Sequence, residues 1–542
     1  MSSTTFRDHA LSDSDRSLPP ILLVLILLGS AVILYCVARE LRSTFLHRDP
    51  SSYLYEAGRM LAGDTLYGPR LDETNPPLII WISAVPDVLS SLLHIPVILT
   101  LKLCIFASLA LVSFWCYSLL RRAGSHLSVA QRLLMSLAIP LAILLTQPDT
   151  FAQREQLLVL LLLPYLVAGS ADVVSTSLLE RILLGVLAGL AICLKPFHLL
   201  TLTGIELLLI LSRRSLRSLV RTELIALILT GAAFLATVRL FVPQYFTDVL
   251  PTLDLAYWGL AEHSVKIMLL FVAAPMELLI LCAWIAWALL RRKLNLPLVS
   301  AALLAAATGA TLAFALQRTA WPYHRYPASV LLYLGLAWLA IDALTALARP
   351  LLHQGWRSPA LWAVTCAAVL VTLGVAIKYQ RYIRRHEAPL SVGLLFARYP
   401  PGTTVYELSP GIGPYNEVLL HHLHWAGRSV CLWMLPAIMR NEAGPRDPNL
   451  PFKKLPPETV ASLAARQRQA VAEDLATQRP QVVAVSQCVG ENRCQGLDRD
   501  LDIVQWFSAD PQFVAEWAHY QRQGTIRDFD VYVRNPPSSN NP

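Results

Sequence analysis

The chain has 542 residues, 55% of them hydrophobic and only 15% charged, with a mean hydropathy of +0.49. That balance excludes an ordinary soluble protein and makes the chain an integral membrane protein. The formal charge of +8 does not point to nucleic acid, because the Arg and Lys residues fall in short clusters between apolar runs, where they fix orientation across a bilayer.

In chain order, residues 1–18 are polar and lead into an apolar run without a small-residue cleavage pattern, which predicts a cytoplasmic tail and a retained first span. At roughly 20 apolar residues per span, fewer inside a bundle, about eleven spans are predicted. They lie near 19–39, 96–119, 133–147, 157–173, 182–195, 198–212, 224–242, 267–290, 298–316, 327–347 and 360–379. Alternate connections carry Arg121, Arg122 and Arg132; Arg181; Arg213, Arg214, Arg217 and Arg221; Arg291, Arg292 and Lys293; Arg349 and Arg357. The positive-inside rule makes these cytoplasmic, so the first loop (40–95) and the tail lie outside. Merging 182–212 into one span would put every later Arg cluster on the wrong face, so two are kept.

The first loop carries Asp49, Glu56, Asp64, Asp72 and Glu73 among Arg48, Arg59 and Arg70, and must face water. After Lys378 the character changes: strand-like runs at Thr403–Leu408, Gln481–Cys488 and Phe529–Asn535 and a helical run at Pro457–Gln478 predict an extracytoplasmic α/β domain over 380–535. Residues 536–542 read as a disordered tail. Six of the nine cysteines lie in apolar runs as small buried hydrophobes. Cys488 and Cys494 are near neighbours in an expected oxidising compartment, so either a local disulfide or two free thiols fits. His421, His422 and His424 lack metal-site spacing and read as a surface helix face.

An outer loop with an acid at its start, a helical Tyr and Gly segment ending in Gly-Asp-x-x-Tyr, and Asn-Pro-Pro-Leu before a Trp, all within Asp49–Trp81, resembles polyprenyl-phosphate-sugar-dependent glycosyltransferases of the GT-C superfold. The similarity is greatest to the protein O-mannosyltransferase and lipid A aminoarabinose transferase type. The usual acidic pair after the first span is here Arg48-Asp49-Pro50, a single acid, which leaves a divalent cation (Mg²⁺ or Mn²⁺) open as a cofactor.

The resemblance implies a polytopic α-helical GT-C-like fold over 19–379 and transfer of a sugar from a polyprenyl-phosphate donor to an extracytoplasmic acceptor. Asp49 would be the general base; the competing reading makes it an N-cap of a helix starting near Ser51. Glu155 is the second acid, with Asp149 as competitor, and an interfacial Arg154–Glu155 anchor is the plain alternative. A phosphate leaving group needs cations, and Lys195, His324, Arg325 and Arg154 are the candidates. Tyr53, Tyr55, Asn75 and Tyr323 are candidate substrate contacts; for the Trp321–Pro327 cluster the plain alternative is an interfacial belt of Trp and Tyr with snorkelling Arg. The expected setting is the bilayer of a bacterial inner membrane, with the N-terminus cytoplasmic and the tail periplasmic. Rival readings are a lipid-linked sugar flippase or other transporter, a polysaccharide polymerase or ligase, and an inactive membrane fold carrying a binding module.

Overall fold

The structure, a computed structural model, describes residues 20–536 except 124–126, 172, 174–175, 295–296, 348–365, 367–368, 371–373, 376, 382–390, 446–449, 491–493 and 495. The tail 1–18, most of the eleventh expected span (360–379) and residues 537–542 lie outside the described residues.

Ten expected spans fall on helices. In order come α1 (Pro20–Arg42), α2 (Arg48–Leu61), α3 (Leu78–Leu93), α4 (Val97–Arg122), α5 (Val129–Leu145), α6 (Arg154–Ser170) and α7 (Leu178–Leu194). Then follow α8 (Leu199–Arg213), α9 (Thr222–Phe241), α10 (Leu250–Ala256), α11 (Val265–Ile267), α12 (Ala274–Leu294), α13 (Leu298–Gln317) and α14 (Pro322–Leu347). Seven helices are long and apolar enough to cross a membrane, or eight if the pair Tyr245–Leu260 and Val265–Val272, bent by 57°, is one span. The higher expected number rests on α5, α6 and α7, of 17 residues each, and on 360–379. The two halves of Ile182–Ser212 are separate helices. Pro196 forces Lys195 out of helical geometry, and Lys195 sits extended at φ −153°.

The innermost helices are α6 and α13, whereas α1, α9 and α12 leave most of their apolar faces to lipid. Close crossing of α8 and α13 requires glycine: a Cβ on Gly309 would stand 2.2 Å from the Leu200 carbonyl oxygen, and one on Gly204 2.5 Å from that of Ala305. This contact fixes the N-terminus of α8 against the bundle. The first loop contains two helices, and α3, unforeseen from sequence, exposes Val85, Val88, Leu92 and Leu93.

The tail domain holds a five-stranded sheet of β1 (Thr404–Leu408), β2 (His424–Trp425), β3 (Val482–Ser486), β4 (Tyr520–Ile526) and β5 (Phe529–Arg534), in the order β2-β1-β3-β5-β4. The β1 strand pairs in parallel with β2 and β3, while β5 pairs antiparallel with β3 and β4. Cys488 and Cys494 are disulfide-bonded. The three histidines do not share a helix face, because His422 adopts a left-handed turn (φ 52°) that ends the helix before β2. The domain docks on the first loop: Leu46 N–H donates to Asn416 Oδ1 (2.9 Å) and Asp72 N–H to the Arg428 carbonyl (2.8 Å). Its second seat is the 250–261 segment, where Lys453 pairs with Asp254 at 2.9 Å and Arg466 donates to Thr252 Oγ1 at 2.9 Å.

Candidate active site

Four segments expected on the outer face, together with the tail domain, enclose one cavity of about 390 Å³. Its walls come from the first loop (His47, Asp49, Tyr53, Asn75), the 147–156 loop (Asp149, Arg154), Tyr257 and the start of α14 (Trp321, Tyr323). Pro410, Ile412, Tyr415, Cys431 and Trp433 of the tail domain roof it.

The α2 helix presents Asp49, Tyr53, Glu56 and Ala57 on its buried face, the i, i+4, i+7, i+8 stripe of a packed helix. The helix begins at Arg48 with His47 as N-cap, and neither is capped by a side chain. Asp49 is therefore not the cap of a helix at Ser51. Its Oδ2 accepts from Gln153 Nε2 at 2.8 Å and lies 3.2 Å from His47 Nδ1, which itself is 2.8 Å from Gln153 Nε2. Burial pushes the Asp49 carboxyl up, but the hydrogen bond and charge of His47, the Gln153 bond and Arg154 outweigh it and hold the group below its usual range. Asp49 is ionised at neutral pH. Seven residues on, burial and the neighbouring Glu73 push Glu56 well above the usual carboxylate range.

The 147–153 loop turns tightly through left-handed Gln147 (φ 49°) and Ala152 (φ 66°), which aims Gln153 at Asp49 and Arg154 at the opposite wall. Arg154 donates through Nη1 to Asn75 Oδ1. Asn75 is presented by Glu73, whose Oε1 accepts from the Asn75 N–H (2.7 Å) and Nδ2 (2.8 Å). Glu155 is fully buried behind the wall, 2.5 Å from Lys195 Nζ and 3.4 Å from Arg154 Nε. Lys195 Nζ lies 5.7 Å from the centre of the Tyr323 ring, so that ring separates it from the cavity. Burial, opposed by Glu155, lowers the Lys195 ammonium to about 7. His324 is buried next to Tyr323, with Nδ1 2.6 Å from Thr319 Oγ1.

The structure therefore gathers Asp49, Tyr53, Asn75, Arg154 and Tyr323 in the cavity and sets Glu155, Lys195 and His324 behind its wall. Two expected contacts stand elsewhere. Tyr55 is two residues, about 200° of helix rotation, from Tyr53 and so faces the tail domain. There its hydroxyl accepts the Trp425 N–H at 2.7 Å. Arg325 is exposed, one helical step off the buried His324, and does not line the cavity. Sequence reasoning assigned no role to His47, Gln153, Tyr257 or the roof; the signal for Gln153 was a polar residue immediately before a buried helix start. Among the described residues no group of three or more His, Cys, Asp or Glu is placed to hold a metal ion.

No protein-family profile matches the chain, and no curated protein sequence does. Solved structures do. ArnT from Cupriavidus metallidurans bound to undecaprenyl phosphate superposes with a TM-score of 0.53 at 14% identity, over 97% of this chain and 100% of that one. The same protein in its apo state gives 0.53 at 13%, over 95% and 99%. The chain is thus similar over nearly its whole length to ArnT and shares its fold.

Proposed function

We propose that the protein is a glycosyltransferase of a bacterial inner membrane, moving a hexosyl or pentosyl unit from a polyprenyl-phosphate donor to an extracytoplasmic glycolipid, polysaccharide or protein. The observation that carries this reading is one ionised carboxylate, Asp49, in the same cavity as Arg154, with Lys195 and His324 against its wall. The ArnT fold, solved in that protein with undecaprenyl phosphate bound, supports a lipid-phosphate donor.

Asp49 would accept the proton of the acceptor hydroxyl as its oxygen bonds to the anomeric carbon. The bond from that carbon to the donor phosphate breaks, and the phosphate oxygen leaves with the electron pair. Attack from the face opposite the phosphate inverts the anomeric centre. A carboxylate held below its usual range is a weak base, so it takes the proton late, once bond formation has made the hydroxyl acidic. Arg154, Lys195 and His324 offset the charge that grows on the leaving phosphate.

The test begins with mass spectrometry of membrane glycoconjugates from a deletion strain, which identifies the missing sugar, and continues with the purified protein and radiolabelled donor. Wild type forms a new glycosidic bond. Asp49→Asn keeps the wild-type melting temperature and loses on the order of 10²- to 10⁴-fold in rate. Full-rate transfer by Asp49→Asn removes the base assignment. Label that crosses a proteoliposome membrane without a new bond makes the protein a flippase instead.

A further inference from the structure

Next to Lys195 stands a pair of histidines with matching surroundings, only one of which the sequence singled out. His198 is fully buried at the N-cap of α8, and its Nδ1 lies 3.0 Å from Thr201 Oγ1. His324 is buried in the first turn of α14, with Nδ1 2.6 Å from Thr319 Oγ1. The two are close enough for the charge of one to bear on the other, and Lys195 and Arg154 bear on both. Neither threonine hydroxyl donates to another acceptor among the described residues. The arrangement that satisfies each pair therefore has the hydroxyl donating to Nδ1, which leaves the proton on Nε2.

Both Nε2 atoms are buried without a hydrogen-bond partner among the described residues. A buried donor left without a hydrogen bond costs stability, and its recurrence in two imidazoles that both feel Lys195 and Arg154 needs a reason. Arg154 opens α6, His198 is the N-cap of α8 and His324 lies in the first turn of α14, so each stands at the positive end of a helix. Donors without acceptors, a lysine and three helix N-termini form the surroundings of an anion.

We propose that His198, with His324, donates an imidazole N–H to the phosphate of the lipid-linked donor, seating it at the N-terminal ends of α6, α8 and α14. This rests on the function proposed above and adds a phosphate ligand to it. The Trp321 and Tyr323 rings, 5.1 and 4.4 Å from that of His324, line the cavity where His324 does not. The phosphate reaches the pair only as those rings move aside.

The probe is undecaprenyl phosphate titrated into the purified full-length protein by native mass spectrometry, with undecaprenol as the uncharged control. His198→Asn keeps a polar group near Thr201 but has nothing at the Nε2 position, and its Kd for the phosphate rises about tenfold. His198→Gln carries an amide N–H near that position and stays within about threefold of wild type. Undecaprenol binds all three alike. A His198→Asn protein that binds the phosphate as wild type does overturns the inference while leaving the proposed function intact. A wild type that prefers the phosphate no more than the alcohol overturns the function itself. Imidazole ¹⁵N spectra of wild type need no variant: both Nε2–H signals move on adding the phosphate, and an unmoved His198 signal overturns the assignment.

Discussion

The partly exposed ion pairs at one end of the helical bundle and the buried charges around Glu155 at the other are held differently. At the end away from the cavity, Arg122 meets Glu180 through both nitrogens (2.5 and 2.6 Å), and Arg181 meets Glu223 likewise (2.8 and 3.1 Å). These pairs are partly exposed and bidentate, as expected of anchors at a membrane surface. At the cavity end Glu155 is shared by two cations, and Glu155 Oε2, His198 Nε2 and His324 Nε2 are buried with no hydrogen bond among the described residues. Bidentate pairs stabilise orientation, whereas buried groups with unused bonding capacity are what a ligand can complete.

The contrast is most sharply broken by cutting one carboxylate at each end. Glu155→Gln leaves Lys195 and Arg154 buried without their counter-ion and is expected to cost about 3–5 kcal/mol. Glu180→Gln at the partly exposed pair is expected to cost about 1 kcal/mol or less. Denaturation of both variants in the same detergent measures the difference; equal losses would erase the distinction between site and anchor.

A pH profile sharpens it next. The Lys195 ammonium is lowered to about 7, so as pH rises through 7 the cavity end loses a positive charge that favours a phosphate. kcat/KM for the donor should fall by roughly tenfold per pH unit on that limb. Asp49, held below the usual carboxylate range, stays ionised down to acid pH, so it produces no fall between pH 5 and 7. In Lys195→Arg the alkaline limb moves upward, because guanidinium keeps its proton. A limb that stays near 7 in this variant assigns it to another group.

Much of the membrane part was legible because hydropathy and Arg clusters record the bilayer directly, and Lys195-Pro196 announces its own break. The strands β1, β3 and β5 are apolar enough to read, and Pro457–Gln478 is helical as expected. What escaped depends on distance along the chain or on weak local pattern. The two-residue β2 has no periodicity, and β4 is a mostly exposed edge strand whose Gln and Arg hide the alternation. The roof joins residues some 370 positions apart, as where Leu46 meets Asn416, and no local pattern records that. Tyr53 and Tyr55 look equivalent in sequence, and only the helix start at Arg48 decides which faces the cavity.

The smallest expected effect concerns the arginines at the helix starts. Arg154 is buried, lines the cavity and donates to Asn75; Arg325 is exposed, one step past the buried His324, and does not line it. A buried, charge-assisted donor removed from a phosphate site should weaken undecaprenyl phosphate binding at least tenfold in Arg154→Ala. An exposed side chain removed from the far side of the same wall should change it by about twofold or less in Arg325→Ala. If Arg325→Ala weakens binding as much as Arg154→Ala, the phosphate rests on the outer surface of α14, and the Asp49 cavity would then be facing a sugar whose leaving group lies outside it.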